Sequence, residues 1–142
     1  MTLEVFKKFL KSESLKLTRT RRIIFEEILS ARKVHPNAYD IYRSLKGKGH
    51  KVSLATIYRT LNLLVKSGLV SQIDLGEDHA HYEPEILQKG HGHLVCISCG
   101  RVKEFHQEEI LEVMNDVGKK SKFKMDKFSI QVFGYCEDCQ KK

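Results

Sequence analysis

Residues 91 to 104 read His-Gly-His-Leu-Val-Cys-Ile-Ser-Cys-Gly-Arg-Val-Lys-Glu. The stretch holds a His-x-His, a Cys-x-x-Cys pair and, at its end, Glu104, which a hairpin would carry back toward the histidines. Side chains two residues apart in a strand share a face, so His91 and His93 point together while Cys96 points the other way. One strand could therefore contribute ligands to two different metal sites, although two histidines alone are more often surface residues than ligands.

The chain has four cysteines, in two Cys-x-x-Cys pairs with 36 residues between them. This separation suits two knuckles at the ends of neighbouring strands. Four thiolates suit tetrahedral Zn(II), and a closed shell of four cysteines leaves no position open for catalysis. A thioredoxin-like redox pair is the competing interpretation, but we expect neither pair to open a helix after a buried strand. We therefore predict a structural zinc site with four ligands: Cys96, Cys99, Cys136 and Cys139.

The carboxy-terminal half is predicted to be a small α/β unit. The expected elements are strands at residues 93 to 97 and 101 to 105, a helix at 107 to 117 and a last strand at 128 to 132. The helix turns three apolar side chains inward, Ile110, Met114 and Val117. A unit this small leaves sheet and helix surface to cover, so we expect it to dimerise.

The amino-terminal half has the pattern of several helices followed by a β-hairpin. Thr18 and Ser53 are suited to cap helices, and Pro36 can begin one. The predicted helices are residues 3 to 12, 19 to 31, 36 to 46 and 54 to 67. A strand at residues 69 to 75, a Gly-Glu-Asp turn and a return near 80 to 82 complete a winged helix-turn-helix.

The last of these helices carries the candidate DNA contacts, because its apolar stripe leaves Thr56, Tyr58 and Arg59 outward or at the boundary. In a major groove, Arg59 could donate to a guanine edge, and Tyr58 or Thr56 could touch thymine methyls or phosphate. The formal net charge of +7 favours DNA over two alternatives. These are an ordinary helical core with a solvated polar face, and a winged helix that binds protein.

Length and composition limit the organisation of the chain. Its 142 residues suit an α+β protein of two modules, residues 1 to 84 and 85 to 142. No apolar run approaches the ~18 residues of a membrane span, and the first residues lack the apolar segment of a signal peptide. We expect a cytoplasmic protein with no membrane partner, whose thiols stay reduced. No nucleophile and base pair is evident, so we expect neither an enzyme nor a small-molecule substrate.

Along essentially its whole length, the chain resembles the ferric uptake regulator (Fur) family of metal-dependent bacterial repressors. Four motifs carry this resemblance: His35-Pro36 before a helix containing Asp40-Ile41-Tyr42, Ser53-Leu-Ala-Thr-Ile-Tyr-Arg-Thr-Leu, His91-x-His93-Leu-Val-Cys96-x-x-Cys99-Gly, and Gly134-Tyr135-Cys136-x-x-Cys139.

The resemblance implies a homodimer whose winged helix binds a palindromic double-stranded DNA operator and whose carboxy-terminal domain dimerises and holds structural zinc. It also implies that Lys16 is a minor-groove contact, with a plain phosphate contact or no DNA contact as the alternatives. The implied regulatory metal site consists of five residues: His35, Glu83, His91, His93 and Glu104. A metal there would tie the two halves into one orientation. If that closed dimer matches adjacent major grooves, metal and DNA each raise the other's affinity by the same factor.

Imidazole and carboxylate ligands of this kind are compatible with Fe(II), Mn(II), Co(II) or Zn(II), and affinity order alone would not select iron. The resemblance favours an Fe(II)-responsive repressor, because Glu104 is typical of iron sensors where peroxide-sensing relatives usually carry Asp. Peroxide, manganese or zinc sensing are alternatives within the family. Outside it, the alternatives are a zinc-stabilised winged-helix interaction module without metal sensing and, after it, a Cys-x-x-Cys redox enzyme.

Two further predictions concern positions near these sites. Gly90, Gly92 and Phe128 stand where many iron-sensing members of the family have ligands for an additional metal, so we expect no such site. His79 and His81 alternate in the predicted wing and could substitute for Glu83 as a ligand or join it. We expect both to be surface residues, because exposed histidine is common.

Overall fold

The computed structural model describes residues 2–31, 35–85, 91–106, 108–125 and 128–141. The chain divides into two compact units, Met1–Leu87 and Gln88–Lys142. Within the described residues, no helix has the length and apolar composition needed to cross a membrane.

The first unit is a winged helix-turn-helix. In chain order its elements are α1 (Thr2–Ser12), α2 (Arg19–Ser30), α3 (Ala38–Gly47), α4 (Leu54–Lys66), β1 (Val70–Ile73) and β2 (His81–Pro84). The two predicted caps are confirmed, because Thr18 accepts a hydrogen bond from the Arg21 amide and Ser53 accepts one from the Thr56 amide. Local polar chemistry therefore defines where α2 and α4 begin.

Helix α3 begins at Ala38, so the prediction that Pro36 starts it is wrong. Asn37 caps the helix instead, and its side chain accepts from the Asp40 amide while the Asp40 carboxylate accepts from the Asn37 amide. This reciprocal pair satisfies two amides at once and outweighs the preference of proline for a first helical position. Pro36 therefore lies before the helix, and its carbonyl accepts a hydrogen bond from the Tyr82 amide at 2.9 Å.

The wing is an antiparallel hairpin in which Val70 lies opposite Pro84 and Ile73 lies opposite His81. Its returning strand β2 runs to Pro84, two residues beyond the predicted end. All four residues of β2 are buried, and the strand contacts α2. Strand β2 is therefore part of the interior of the unit.

A large apolar core holds the first unit together. Its buried members are Phe6, Leu10, Ile24, Phe25, Ile28, Ala38, Ile41, Leu45, Ile57, Leu61, Leu64, Leu69, Val70 and Tyr82. Each buried Leu, Ile or Phe side chain contributes roughly 1.5–3 kcal/mol relative to an exposed one. The helical spacing of these residues in α2 and α4 is the feature that makes the unit foldable.

The second unit is a three-stranded sheet with two helices. Its elements are β3 (His91–Cys96), β4 (Val102–His106), α5 (Glu108–Lys120), β5 (Gln131–Gly134) and α6 (Glu137–Gln140). Strand β3 is central, antiparallel to β4 and parallel to β5. The hairpin places His93 opposite Glu104, as the sequence predicts.

The structure of this unit differs in detail from the prediction. The last strand begins at Gln131, after the expected start, and α6 was not predicted. Val117 was expected to face inward but is 50% exposed. The buried residue of α5 is Gly118, where a Cβ would lie 3.1 Å from the Phe123 carbonyl oxygen, so the returning chain packs against the helix backbone at this point.

Candidate metal centres and DNA-binding face

The four cysteine sulfurs converge at one end of the sheet, and all lie within 4.8 Å of one another. The parallel pairing of β3 with β5 places Cys96 beside Gly134 and so brings the two Cys-x-x-Cys pairs together. All four cysteines are free thiols. The prediction that these residues form one cluster is confirmed, and the cluster could hold zinc.

The geometry of this cluster fits a tetrahedral ion. Zn–S bonds of about 2.3 Å give a tetrahedron with edges of about 3.8 Å, and the sulfurs of Cys99 and Cys136 are 3.8 Å apart. Such a spacing between two sulfurs is too long for a disulfide bond of about 2.05 Å. This spacing is compatible with an ion at the centre of the cluster.

The protonation chemistry of the cluster also calls for a cation. Backbone amides of Cys136 and Cys99 donate toward the Cys96 sulfur and lower the pKa of that thiol to about 6. The Ser98 hydroxyl acts to lower the pKa of Cys139, but the neighbouring sulfurs, led by that of Cys136, outweigh it and raise that pKa to about 12. Crowded thiols cannot all ionise without a positive charge between them, which a divalent metal supplies.

Cys136 is the N-cap residue of α6, so the second pair does open a short helix, but the strand before it, β5, has no buried residue, and the pair therefore does not open a helix after a buried strand. Arg101 donates to Asp138 at 3.1 Å, which links the first knuckle to this helix. Both of these side chains are exposed, so the ion pair adds little stability. The convergence of the other pair on the same point, rather than the absence of a helix, is what favours a metal over a redox pair.

In the first unit, His35 and Glu83 form a buried pair. His35 Nε2 lies 3.1 Å from Glu83 Oε2, and each side chain is 8% exposed. Burying an imidazole and a carboxylate together costs free energy that a salt bridge alone often does not recover. The two groups are also ligands that suit borderline divalent metals.

The backbone at His35 has φ = +49°, in the left-handed region. For a residue other than glycine this conformation costs roughly 1–2 kcal/mol, and it persists where surrounding contacts determine it. Strand β2 provides such contacts: the Tyr82 amide donates to the Pro36 carbonyl, and Glu83 meets the His35 ring.

His81 supplies a third contact, and the prediction that it is a surface residue is wrong. Its side chain is buried; Nδ1 lies 2.6 Å from the His35 carbonyl oxygen and Nε2 lies 3.0 Å from Glu77 Oε2. His79 is exposed, as expected, and packs edge-on against Tyr39 at 5.3 Å between ring centroids. No local signal in the sequence marks His81, because His79 has the same spacing parity and is exposed, and all four residues of β2 are buried.

In the second unit, His93 and Glu104 form the other His–carboxylate pair. They are register partners across β3 and β4, and His93 Nε2 lies 3.9 Å from Glu104 Oε1. The His93 side chain is 3% exposed and that of Glu104 is 31% exposed. His91 lies in β3 opposite His106, but its side chain is outside the described residues.

Gly92, between the two histidines, is packed beneath an aromatic ring. A Cβ at this position would lie 2.7 Å from Phe105 Cε1 and 3.2 Å from the Ile130 carbonyl oxygen. Gly90, which was grouped with it in the sequence prediction, lies outside the described residues. Phe128 is partly buried.

Helix α4 presents the predicted DNA-binding face. Ile57, Leu61 and Leu64 are buried, while Tyr58 and Arg59 are exposed. Thr56 is partly buried, and its hydroxyl lies 2.8 Å from the Ser53 hydroxyl and 3.4 Å from Arg59 Nη2. Lys16 is exposed just before α2, and its carbonyl accepts from the Arg21 guanidinium at 2.5 Å. Only the main-chain carbonyl of Lys16 is used in this contact, and the residue is exposed.

A winged helix joined to a small α/β unit that gathers four cysteines defines a class of protein, the metal-responsive transcription regulators. The chain belongs to the ferric uptake regulator family, whose model matches residues 12–133. The Fur-family assignment made from the sequence motifs is thereby confirmed.

Known members of the family are similar to this chain over most of its length. The ferric uptake regulation protein of Synechococcus elongatus is 36% identical over 107 residues, which cover 75% of this chain and 73% of that protein. The peroxide operon regulator of Bacillus subtilis is 31% identical over 133 residues, 94% of this chain and 90% of that protein. Among solved structures, one is of the ferric uptake regulator from Pseudomonas aeruginosa with manganese. It is 30% identical in sequence and superimposes with a TM-score of 0.78; the match covers 90% of this chain and 95% of that chain.

Proposed function

We propose that this protein is an Fe(II)-responsive transcriptional repressor that binds palindromic operators as a metal-loaded homodimer. Residues 1 to 84 form the DNA-binding domain, and residues 85 to 142 form the dimerisation and metal-binding domain. The observation that carries the proposal is the buried His35–Glu83 pair, because it lies within the winged helix and is held by the wing strand itself. Metal bound there acts directly on the DNA-binding unit.

The regulatory metal is held by His35, Glu83, His91, His93 and Glu104, and zinc is held by the four cysteines. The two pairs His35–Glu83 and His93–Glu104 support this division, since each offers one imidazole and one carboxylate from a different unit. A metal that takes ligands from both units restricts their relative orientation. If that orientation is the one that fits DNA, metal binding and DNA binding strengthen each other equally.

On the DNA side, α4 enters the major groove with Tyr58 and Arg59 at its surface and Thr56 near its start. Arg59 suits a guanine edge, and Lys16 reaches a minor groove or a phosphate. The net charge of +7 provides the sequence-independent part of the affinity. Any DNA affinity must therefore be compared at one fixed salt concentration.

The proposal is tested by a mobility-shift titration of zinc-loaded protein with Fe(II), Mn(II) and Zn(II) under anaerobic conditions. We expect specific DNA binding to require the second metal. We expect His35→Ala, which removes a ligand of that metal, to lose the specific DNA binding that the metal induces. His79→Ala is the matched control, since it removes an exposed histidine of the same unit and should bind as the wild type does. Specific binding that is unchanged when the second metal is stripped would contradict the proposal.

Peroxide sensing is the second candidate, favoured by the similarity to the Bacillus subtilis peroxide operon regulator. It predicts oxygen addition to His35 or His91 when the iron-loaded protein meets low peroxide. Mass spectrometry of the treated protein distinguishes the two functions. Intact histidines together with iron-dependent DNA binding support the iron sensor, and oxidised histidines support the peroxide sensor.

A further inference from the structure

Residue His81 has no role in the metal or DNA sites described above, yet it is buried and both of its ring nitrogens have partners. Nδ1 lies 2.6 Å from the main-chain carbonyl oxygen of His35. A carbonyl oxygen only accepts hydrogen bonds, so Nδ1 carries a proton and donates it. Nε2 lies 3.0 Å from the Glu77 carboxylate, in the turn of the wing.

These contacts join three consecutive residues of β2 to one short connection before α3. The His81 ring binds the His35 carbonyl, the Tyr82 amide binds the Pro36 carbonyl at 2.9 Å, and Glu83 Oε2 meets His35 Nε2 at 3.1 Å. His35 is held in the left-handed backbone conformation at this point, with φ = +49°. The orientation of its ring is fixed only if its backbone is fixed.

We propose that His81 is a positioning residue for the regulatory metal site, which holds the His35 backbone in the conformation that points its imidazole toward Glu83. This inference rests on the proposed metal-sensing function. His81 does not bind the metal; it acts through the main chain of a ligand. Contacts of this indirect kind typically change metal affinity by about 10–100-fold when they are removed.

The test uses the zinc-loaded full chain and titrates Co(II) as the probe, followed by its visible absorption. We expect His81→Ala to weaken Co(II) binding by about 10–100-fold and to leave the zinc content unchanged. His79→Ala, which removes the exposed neighbour on the same wing, is the control and should keep the wild-type affinity. His81→Ala with wild-type Co(II) affinity would overturn the inference.

Two variants with amide side chains, His81→Asn and His81→Gln, distinguish the hydrogen bond to the His35 carbonyl from the mere volume of the His81 side chain. The side-chain nitrogen of asparagine can occupy the place of Nδ1 and donate to the His35 carbonyl, whereas that of glutamine is placed like Nε2. We therefore expect His81→Asn to recover most of the Co(II) affinity and His81→Gln to recover little. If the two variants have the same melting temperature and the same Co(II) affinity, the hydrogen bond to His35 is not the cause and the inference fails.

A second readout needs no regulatory metal. The Tyr82 amide is bonded to the Pro36 carbonyl beside His35, so hydrogen exchange at Tyr82 reports on the same connection. Exchange at Tyr82 should be faster in His81→Ala than in His79→Ala, and unchanged exchange would count against positioning. If the wild type itself takes up no Co(II) beyond its zinc, the proposed function fails; if it does and the His81 variants match it, only this inference fails.

Discussion

The two units of the chain are stabilised in different ways. The first buries a continuous apolar core that includes Phe6, Phe25 and Leu61, each fully inaccessible to solvent. In the described part of the second unit, the buried apolar side chains are Val95 and Cys96. Eight of its large apolar side chains lie instead at the surface: Leu94, Ile97, Val113, Val117, Phe123, Val132, Phe133 and Tyr135.

This difference indicates where each unit obtains its free energy of folding. The first unit can rely on apolar burial, at roughly 25 cal/mol per Å² of area removed from water. A unit of the size and exposure of the second needs a metal, a partner or both. Its four converging cysteines and its exposed sheet face correspond to these two sources.

The largest expected effect follows from removing the metal. Cys96→Ser leaves three thiolates for an ion that needs four ligands, and structural zinc contributes an apparent ~10–16 kcal/mol to small domains. We expect loss of zinc and unfolding of the second unit, while α2 and α4 stay folded. Zinc analysis and hydrogen exchange resolved by unit measure both effects.

The control for this variant is Ile97→Ala, which changes an exposed side chain of the same knuckle without removing a ligand. It should keep one zinc per site and nearly wild-type exchange. A Cys96→Ser protein with full zinc content and a protected β3 would show that the second unit does not depend on the cysteines.

The next effect concerns the exposed sheet face. Leu94 and Val132 are register partners in parallel strands and are 41% and 47% exposed. If this face is covered in the dimer, Val132→Asp buries an unpaired carboxylate, at a cost of roughly 3 kcal/mol or more. That cost weakens dimerisation by about 100-fold or more.

Sedimentation equilibrium measures the dimer dissociation constant. Ser129→Asp is the matched control, because it adds the same charge at an exposed polar residue just before β5. A Val132→Asp protein that dimerises as tightly as the control would show that the interface lies elsewhere on the second unit.

The smallest of the three effects is in the first unit, at its buried carboxylate. Glu27 is 8% exposed; it accepts from the Ser44 hydroxyl and from the Lys48 ammonium, the latter at 2.6 Å. Burial acts to raise the pKa of Glu27, but the hydrogen bonds from Lys48 and Ser44 outweigh it and lower that pKa below 4.5. Glu27→Gln should cost about 1–3 kcal/mol at neutral pH.

The pH dependence has a definite sign. Because the folded-state pKa of Glu27 is lowered, its contribution is complete above the unfolded-state value of about 4.5 and is lost as the pH falls through the folded-state value. Urea unfolding at pH 7 and at pH 3 should show that Glu27→Gln is less acid-sensitive than the wild type. Glu26→Gln breaks only an exposed pair with Arg22 and should change stability by less than about 1 kcal/mol. Equal acid sensitivity in the wild type and both variants would exclude Glu27 as the source.

The features that could be predicted from sequence are those set by residues close together in the chain. Thr18 and Ser53 mark helix starts because a cap bonds an amide a few residues away. The pairing of His93 with Glu104 follows from a short hairpin. The cysteine cluster could be predicted because four cysteines in two Cys-x-x-Cys pairs, with no fifth cysteine, have few alternative uses.

The features that were missed depend on contacts between distant residues. His81 is buried because it bonds to the carbonyl of His35, 46 positions away, and nothing local distinguishes it from the exposed His79. Val117 satisfies helical periodicity, yet Gly118 is the buried residue because the chain returning at Phe123 packs there. Hydrophobic periodicity indicates which residues can be buried, and only the tertiary structure decides which of them are.

Gly92 limits what this protein could become by single substitutions. The Phe105 ring already occupies the space in front of its Cα, and Phe105 is adjacent to Glu104. A side chain introduced at position 92 would force that ring to move, and the ring belongs to the residue next to Glu104 of the proposed regulatory site. An additional metal ligand at this position would therefore require both the Phe105 ring and the backbone at the Ile130 carbonyl to give way.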